Sequence, residues 1–229
     1  MHNVVSISLI LAVALTVTIR TDHLNDDFVS PYWRARSGFK IAKVDKRVLP
    51  KARRVVNAFS SRYKNKLLRE TLKSVNIVGI FRIGKMNYSG SYRRNTIVLK
   101  VPMRHSDFYL ERVLHHEYSS ILLNKYSMPW KDKLKWKQSS DVYGGKKLRN
   151  YYLRNSQGAR SEHKSLLRKG FLTPYSATTF ENDFNILAEY LFMKPRHFKY
   201  LAKKYPKIRI KRDIAIRYYC KLKVRISCN

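Results

Sequence analysis

The sequence predicts a single α+β domain, in which a small sheet packs on one long helix and further helices follow. Three observations support this fold class. Apolar residues recur at helical spacing from Leu49, two runs rich in β-branched residues flank a turn-rich stretch, and several helical patterns come after them. The chain has 229 residues, of which 44% are hydrophobic, so it can bury a substantial core.

The first elements follow from local patterns. The segment "LPKARRVVNAFSSRYKNKLLRETLKSV" predicts a helix that begins at Leu49, next to Pro50. "VNIVGIFRIG" and "NTIVLKV" predict two strands around the Gly-containing loop "KMNYSGSYRR". His105, Ser106 and Asp107 supply capping residues for a helix from about Phe108 to Tyr126.

The second half is predicted to be mainly helical. Residues 127–172 are very basic, and "DVYGGKKL" within them predicts a turn or loop. A helix is expected from about Thr178 to Met193, because Lys194 and the following proline end it. One or two more helices, broken at Pro206, are expected in the tail.

The amino-terminal segment predicts export. Val4–Ile19 is an uncharged, mostly aliphatic run that ends at Arg20, which is typical of a signal peptide or membrane anchor. We therefore divide the chain into a leader (1–20), a linker (21–48) and one domain (49–229), and expect a periplasmic, secreted or membrane-anchored protein. A buried strand or helix of the fold is the alternative for this run. In an oxidising compartment Cys220 and Cys228 could pair, or both could stay free thiols.

The charge of the chain is strongly positive. There are 48 Lys and Arg residues against 15 Asp and Glu, a net charge of +33. Such a field attracts phosphate, acidic polymers or an anionic membrane surface, unless it only solvates the surface. Aromatic and basic residues alternate in "WKDKLKWK" and "KPRHFKYLAKKY", as in nucleic-acid-binding surfaces. No zinc-finger or RNA-binding signature supports a nucleic-acid partner.

A half-motif for zinc chemistry lies in "VLHHEYSSILL", residues 113–123. In H-E-x-x-H, two histidines one helical turn apart bind one zinc ion, and the glutamate polarises the zinc-bound water. Here His116 and Glu117 match the first two positions, but Ser120 replaces the second histidine. His115 points about 100° away around the helix, and its own partner one turn on is Ser119.

Several segments in order resemble a family of zinc-binding metallopeptidases. "ERVLHHEYSSILLNKY" and "KGFLTPYSATTFENDFNILAEYLF" are similar to the family's "HHEFxHIL" and "GFVTPYAxSxxNEDFAE". That family is itself similar to the zinc domain of anthrax lethal factor, in which the third zinc ligand is a glutamate. The resemblance extends over residues 50–222 and implies a zincin-like fold.

The resemblance implies roles for particular residues. His116 matches the first zinc ligand, Glu117 the general base and Tyr175 the residue that stabilises the oxyanion. The second ligand falls on Ser120, a departure from the family. The third falls on Asn182 or Asn185, depending on the alignment. The acidic candidates for a replacement ligand are Glu181, Asp183 and Glu189, with His163 as an outside possibility; Glu181 also fits a capping box that begins at Thr178.

If zinc binds, we expect a metallopeptidase in which Glu117 activates a zinc-bound water to attack a peptide or protein substrate. The strand "NTIVLKV" is expected to pair with extended substrate as an edge strand, and the basic field to favour acidic peptides. The first alternative is a catalytically inactive zincin-like exported protein that binds acidic polymers or a protein partner. The second is a basic nucleic-acid-binding protein.

Overall fold

Residues 17–21, 35–155 and 158–227 are described by the computed structural model, and they form a mixed α+β domain. The strands belong to two small sheets. Their bounds are β1 Thr18–Arg20, β2 Lys40–Ala42, β3 Ser74–Val78, β4 Ile80–Ile83, β5 Met86–Asn87, β6 Gly90–Arg93 and β7 Thr96–Lys100.

The first sheet has the order β1-β3-β7-β6, and the second has the order β2-β4-β5. β1 and β7 run parallel to β3, whereas β6 runs antiparallel to β7. The predicted edge position of "NTIVLKV" is therefore wrong, because this strand, β7, lies between β3 and β6. The edge strand on this side of the sheet is β6.

A short 3-10 helix, Lys46–Val48, leads into the helical part of the domain. The helix bounds are α1 Leu49–Ser61, α2 Asn65–Thr71, α3 Asp107–Lys125, α4 Trp130–Gln138, α5 Gly145–Arg154, α6 Lys164–Arg168, α7 Phe180–Met193, α8 Pro195–Lys204 and α9 Pro206–Lys221. Helix α3 packs against α1, α7 and the strands β6 and β7. It is therefore the central element of the fold.

Helix α3 confirms the predicted motif helix. The hydroxyl of Ser106 accepts a hydrogen bond from the backbone N–H of Tyr109 and caps the first turn. The side chain of His115 faces the core, where it stacks on Phe192 at 4.2 Å between ring centroids and contacts the hydroxyl of Tyr63. His115 therefore packs in the core, on a different face of α3 from His116.

The predicted strand "VNIVGIFRIG" is divided at Gly79 into β3 and β4, which belong to different sheets. A Cβ atom at Gly79 would lie 2.5 Å from the carbonyl oxygen of Lys43, so only glycine permits this close approach. The predicted first helix is divided in the same way into α1 and α2. Helices α7, α8 and α9 match the prediction, with Pro195 and Pro206 at first-turn positions. Helices α4, α5 and α6 lie in the basic region 127–172, and the predicted loop "DVYGGKKL" is wrong in its second half, because α5 begins there at Gly145.

The amino-terminal predictions fall only partly on described residues. Residues 1–16 of the predicted leader and residues 22–34 of the predicted linker lie outside them, whereas Thr18–Arg20 pairs with β3. Lys40–Ala42, inside the predicted linker, forms β2. Cys220 is disulfide-bonded, and Cys228 lies outside the described residues. Within those residues, the helices are too short or too polar to cross a membrane.

Strand β6 lies directly against the motif helix at Gly90. A Cβ atom there would lie 2.6 Å from Cγ1 of Val113 and 3.1 Å from Cγ of Glu117. Val113 is buried and β-branched, so its side chain has little freedom to move away. The absence of a side chain at Gly90 therefore brings the sheet edge next to the His-Glu pair.

Replacing Gly90 by alanine is expected to destabilise the fold by about 1–3 kcal/mol, because the added methyl overpacks this contact. Urea unfolding monitored by circular dichroism measures the change, with Ser91→Ala in the same strand as the control. A Gly90→Ala variant as stable as the parent would show that β6 does not pack tightly on α3.

Candidate active-site cleft and its ion network

A cavity of about 700 Å³ opens between the β6 edge and helix α3. Helix α5 and the first turns of α7 complete its walls. His116, Glu117, Ser120, Tyr175, Glu181 and Asn185 all line this cavity. The motif helix and the later helix therefore converge on one cleft, as the resemblance implies.

His116 is held from behind by Glu189. Its Nδ1 atom lies 2.7 Å from Oε1 of Glu189, which is only 2% exposed. An ionised carboxylate only accepts hydrogen bonds, so Nδ1 carries the proton and donates. The Nε2 atom, the other ring nitrogen, has no hydrogen-bond partner in the described part of the chain. Glu189 therefore orients the imidazole and fixes its tautomer, as the carboxylates behind metal-binding histidines do.

Two arginines contact the same carboxylate. The guanidinium of Arg160 donates to Oε1 of Glu189, and Nε of Arg112 lies 3.3 Å from Oε2. Burial alone would raise the pKa of Glu189, but Arg160, the His116 hydrogen bond and Arg112 outweigh it and lower the pKa to about 2. Glu189 is therefore an ionised carboxylate bound to protein groups, at the back of the cleft.

Two positions at which the resemblance implies zinc ligands contact each other. The side-chain amide of Asn185 donates a hydrogen bond of 2.7 Å to the hydroxyl of Ser120, and both residues are buried. This contact favours the alignment that puts the family's third ligand at Asn185 rather than Asn182. The Oδ1 atom of Asn185 has no hydrogen-bond partner in the described part of the chain.

Both Glu117 and Tyr175 lie in the cleft, and both have raised pKa values. Burial raises the pKa of the Glu117 carboxyl, and the nearby His116 and Arg160 oppose this shift. Burial also raises the pKa of the Tyr175 hydroxyl, opposed by Arg160 and Arg149. The Tyr175 ring lies 6.0 Å from the His116 ring. Tyr175 is therefore placed as a hydroxyl donor beside the imidazole.

The acidic candidates on α7 separate into different environments. Glu181 accepts a hydrogen bond of 2.8 Å from the hydroxyl of Tyr92, on β6, instead of capping its own helix. The predicted capping box is therefore wrong, and the helix is capped by Thr179, whose hydroxyl accepts from the backbone N–H of Asn182. Burial raises the pKa of the Tyr92 hydroxyl to about 12, and Glu181 adds to the effect.

Asp183 lies outside the cleft and belongs to the core. Its Oδ2 atom accepts hydrogen bonds from Trp136 at 2.8 Å, Tyr143 at 2.8 Å and the ammonium of Lys211 at 2.6 Å. Burial raises the pKa of Asp183 and lowers the pKa of Lys211, and the contact between them opposes both shifts. This pair ties α7 to α9 and does not reach the cavity.

Other residues of the cleft have no signal in the sequence. Arg112, Arg149, Arg160 and Tyr92 line the cavity, but they are four among 48 basic residues and 16 tyrosines with no distinctive spacing. Only the fold brings them to the His-Glu pair. His163, the outside candidate, precedes α6 and does not line this cavity.

These residues do not fit a protein zinc site. Zinc takes imidazole, thiolate or carboxylate ligands, and no group of three His, Cys, Asp or Glu residues suited to a metal ion occurs in residues 17–21, 35–155 and 158–227. His116 offers one nitrogen, whereas a hydroxyl and an amide occupy the other two positions. The three arginines of the cleft also oppose a divalent cation electrostatically.

The fold is similar to that of one solved structure. It is described as a "putative zinc-binding metallo-peptidase" from Bacteroides caccae ATCC 43185, and it shares 16% sequence identity with this chain. The TM-score is 0.60, and the alignment covers 92% of this chain and 82% of the other. The chain has a metallopeptidase-like fold. No protein-family model and no curated protein matches the sequence.

We expect the parent protein to hold less than about 0.1 equivalent of zinc at neutral pH after dialysis, because His116 is the only suitable donor at the three positions at which the resemblance implies zinc ligands. The double variant Ser120→His, Asn185→Glu supplies the two altered ligands and is expected to hold about one equivalent. Elemental analysis by mass spectrometry measures both. Stoichiometric zinc in the parent that is lost in His116→Ala would contradict our assessment of the donor set.

Glu189→Gln is expected to lower the free energy of unfolding at pH 7 by about 3 kcal/mol, because it leaves buried cations uncompensated. The pKa of Glu189 is about 2 in the folded protein and about 4.3 in an unfolded chain. The stabilisation is therefore complete above about pH 4.3 and is lost as the pH falls toward 2.

Urea unfolding of parent and variant between pH 7 and pH 3 tests this expectation. The difference between them should be constant at neutral pH and shrink below about pH 4.3. Glu70→Gln, which changes an exposed carboxylate, is the matched control and should have little effect. A Glu189→Gln variant whose deficit is unchanged at pH 3 would contradict the ion network.

Proposed function

We propose that this chain is a peptide-binding protein built on a metallopeptidase-like fold, and that it does not hydrolyse peptides with a zinc ion. The hydrogen bond between Asn185 and Ser120 is the observation that carries the proposal. Where the resemblance implies two metal ligands, two neutral side chains instead bind each other. The cleft is retained, but its donor set favours binding over metal-dependent chemistry.

The edge of β6 supports a peptide ligand. The backbone N–H of Lys100 bonds to the carbonyl oxygen of Ser89, and hydrogen-bonded pairs alternate along an antiparallel ladder. The backbone groups of Gly90 and Tyr92 therefore point away from β7. Both residues line the cavity, so an extended peptide can add a strand at this edge.

The second candidate function is zinc-dependent peptide hydrolysis. It is favoured by the convergence of His116, Glu117 and Tyr175 on one cavity. In that function zinc needs imidazole, thiolate or carboxylate ligands, whereas Ser120 and Asn185 hydrogen-bond each other at two of the implied ligand positions. We therefore rank this function second.

We also propose that the protein is exported, as the apolar run Val4–Ile19 indicates. An exported peptide-binding protein with a net charge of +33 would meet acidic polymers, anionic membrane surfaces and other proteins. The cleft does not support the nucleic-acid alternative, because the aromatic and basic segments that suggested it, residues 130–137 and 194–205, do not line it.

The proposal is tested by measuring whether the protein binds peptides and leaves them uncleaved. The full chain is immobilised and exposed to a library of end-blocked decapeptides, and retained peptides are measured one at a time by fluorescence anisotropy. We expect saturable binding, with intact peptides by mass spectrometry after prolonged incubation with added zinc. Zinc-dependent cleavage that is lost in Glu117→Gln would establish the second candidate instead.

Tyr92→Pro tests whether the peptide pairs with β6. Proline removes the N–H that points away from β7, so affinity should fall about fivefold for one lost hydrogen bond. Tyr92→Phe is the matched control, because both variants lose the hydroxyl but only proline loses the N–H. Equal affinities for the two variants would exclude strand addition at this edge.

A further inference from the structure

Three arginines line the candidate peptide cleft. Arg112 comes from α3, Arg149 from α5 and Arg160 from the segment after α5. These arginines lie on different elements of the chain, and only the fold brings them to one cavity. A guanidinium group presents two parallel N–H donors, and their spacing matches the two oxygens of a carboxylate.

The carboxylates of the site pair with two of these cations and not with the third. Glu189 is shared by Arg160 and Arg112 behind the cavity, and Glu181 accepts a hydrogen bond from Tyr92. Arg149 instead hydrogen-bonds the side chain of Tyr175, and it forms no ion pair in the described part of the chain.

The guanidinium of Arg149, which forms no ion pair in the described part of the chain, lies beside a hydroxyl donor. The guanidinium of Arg160 lies over the Tyr175 ring at 5.3 Å from its centroid, and Arg149 interacts with the Tyr175 hydroxyl. Because burial keeps this hydroxyl protonated by raising its pKa, it donates to an incoming acceptor. An anion at this point meets Arg149 on one side and the tyrosine O–H on the other.

We propose that Arg149 and Tyr175, with Arg160 behind the ring, form a carboxylate-recognition site that selects acidic peptides. The inference rests on the proposed peptide-binding function and names its ligand class. The carboxylate belongs to an Asp or Glu side chain or to the carboxyl terminus of the peptide. A peptide paired along β6 crosses the same cavity, so one ligand can occupy both features.

The experiment measures a preference rather than an affinity alone. A decapeptide retained from the library is prepared in end-blocked form with Glu and with Gln at its acidic position, and also with a free or an amidated carboxyl terminus. Anisotropy titrations at physiological ionic strength suppress the general attraction of the basic surface. We expect at least a tenfold tighter Kd for one carboxylate-bearing form, and the pair that shows it identifies the source of the carboxylate.

Arg149→Met is expected to reduce that ratio to about twofold or less, and Tyr175→Phe to reduce it in part. Lys147→Met is the matched control, since it removes a charge from the exposed part of the same helix and outside the cavity. Its ratio should equal that of the parent. Thermal melts of all three variants establish that they are folded.

The outcomes separate the inference from the function on which it rests. Peptides that bind without preferring a carboxylate would overturn the recognition site and leave the peptide-binding function standing. An equal loss of preference in Arg149→Met and Lys147→Met would also overturn it, because the general field of the chain would be the cause. Failure of every library peptide to bind would overturn both proposals.

Discussion

The buried carboxylate of Glu189 is the contact on which the cleft depends. It lies on α7 and binds His116 on α3, together with Arg160 and Arg112. One side chain therefore joins the two helices and the segment that precedes Tyr175. Without this charge, cations would be buried without compensation, at a cost of several kcal/mol. The position of the imidazole and the arrangement of the arginines follow from the same interaction.

The network also decides how the histidine can be used. Because Nδ1 donates a hydrogen bond to Glu189, only Nε2 is left to bind a ligand. In a metal site that nitrogen would need further imidazole or carboxylate partners, but Ser120 and Asn185 hydrogen-bond each other instead. A scaffold suited to positioning a peptide remains, because the β6 edge is brought to the helix at Gly90. These contacts are why we propose peptide binding, rather than metal-dependent hydrolysis, for this cleft.

Much of this arrangement could be predicted from the sequence. Strong periodicity and capping gave the bounds of α3, and the proline positions gave the end of α7 and the break at Pro206, because these signals are local. The resemblance indicated that His116, Glu117 and Tyr175 belong to one site, and all three line the same cavity.

Features that depend on contacts between residues distant in sequence were harder to predict. The division of the predicted strand at Gly79 depends on its close approach to the backbone of Lys43. The edge position was predicted for β7 and belongs to β6, because the order of strands in a sheet cannot be read from local sequence. The arginines were hidden by the high basic content of the chain. Glu189 was expected as a metal ligand, whereas its geometry makes it the partner of the histidine.

The most direct test of the account is nitrogen-15 NMR of the imidazole of His116, assigned by comparison with a His116→Gln variant. We predict a proton on Nδ1 that depends on Glu189, and ring nitrogen shifts that stay unchanged when one equivalent of zinc is added. A proton absent from Nδ1, or a zinc-induced shift of Nε2 at one equivalent, would contradict the claim that the buried carboxylate holds this histidine for binding rather than for metal chemistry.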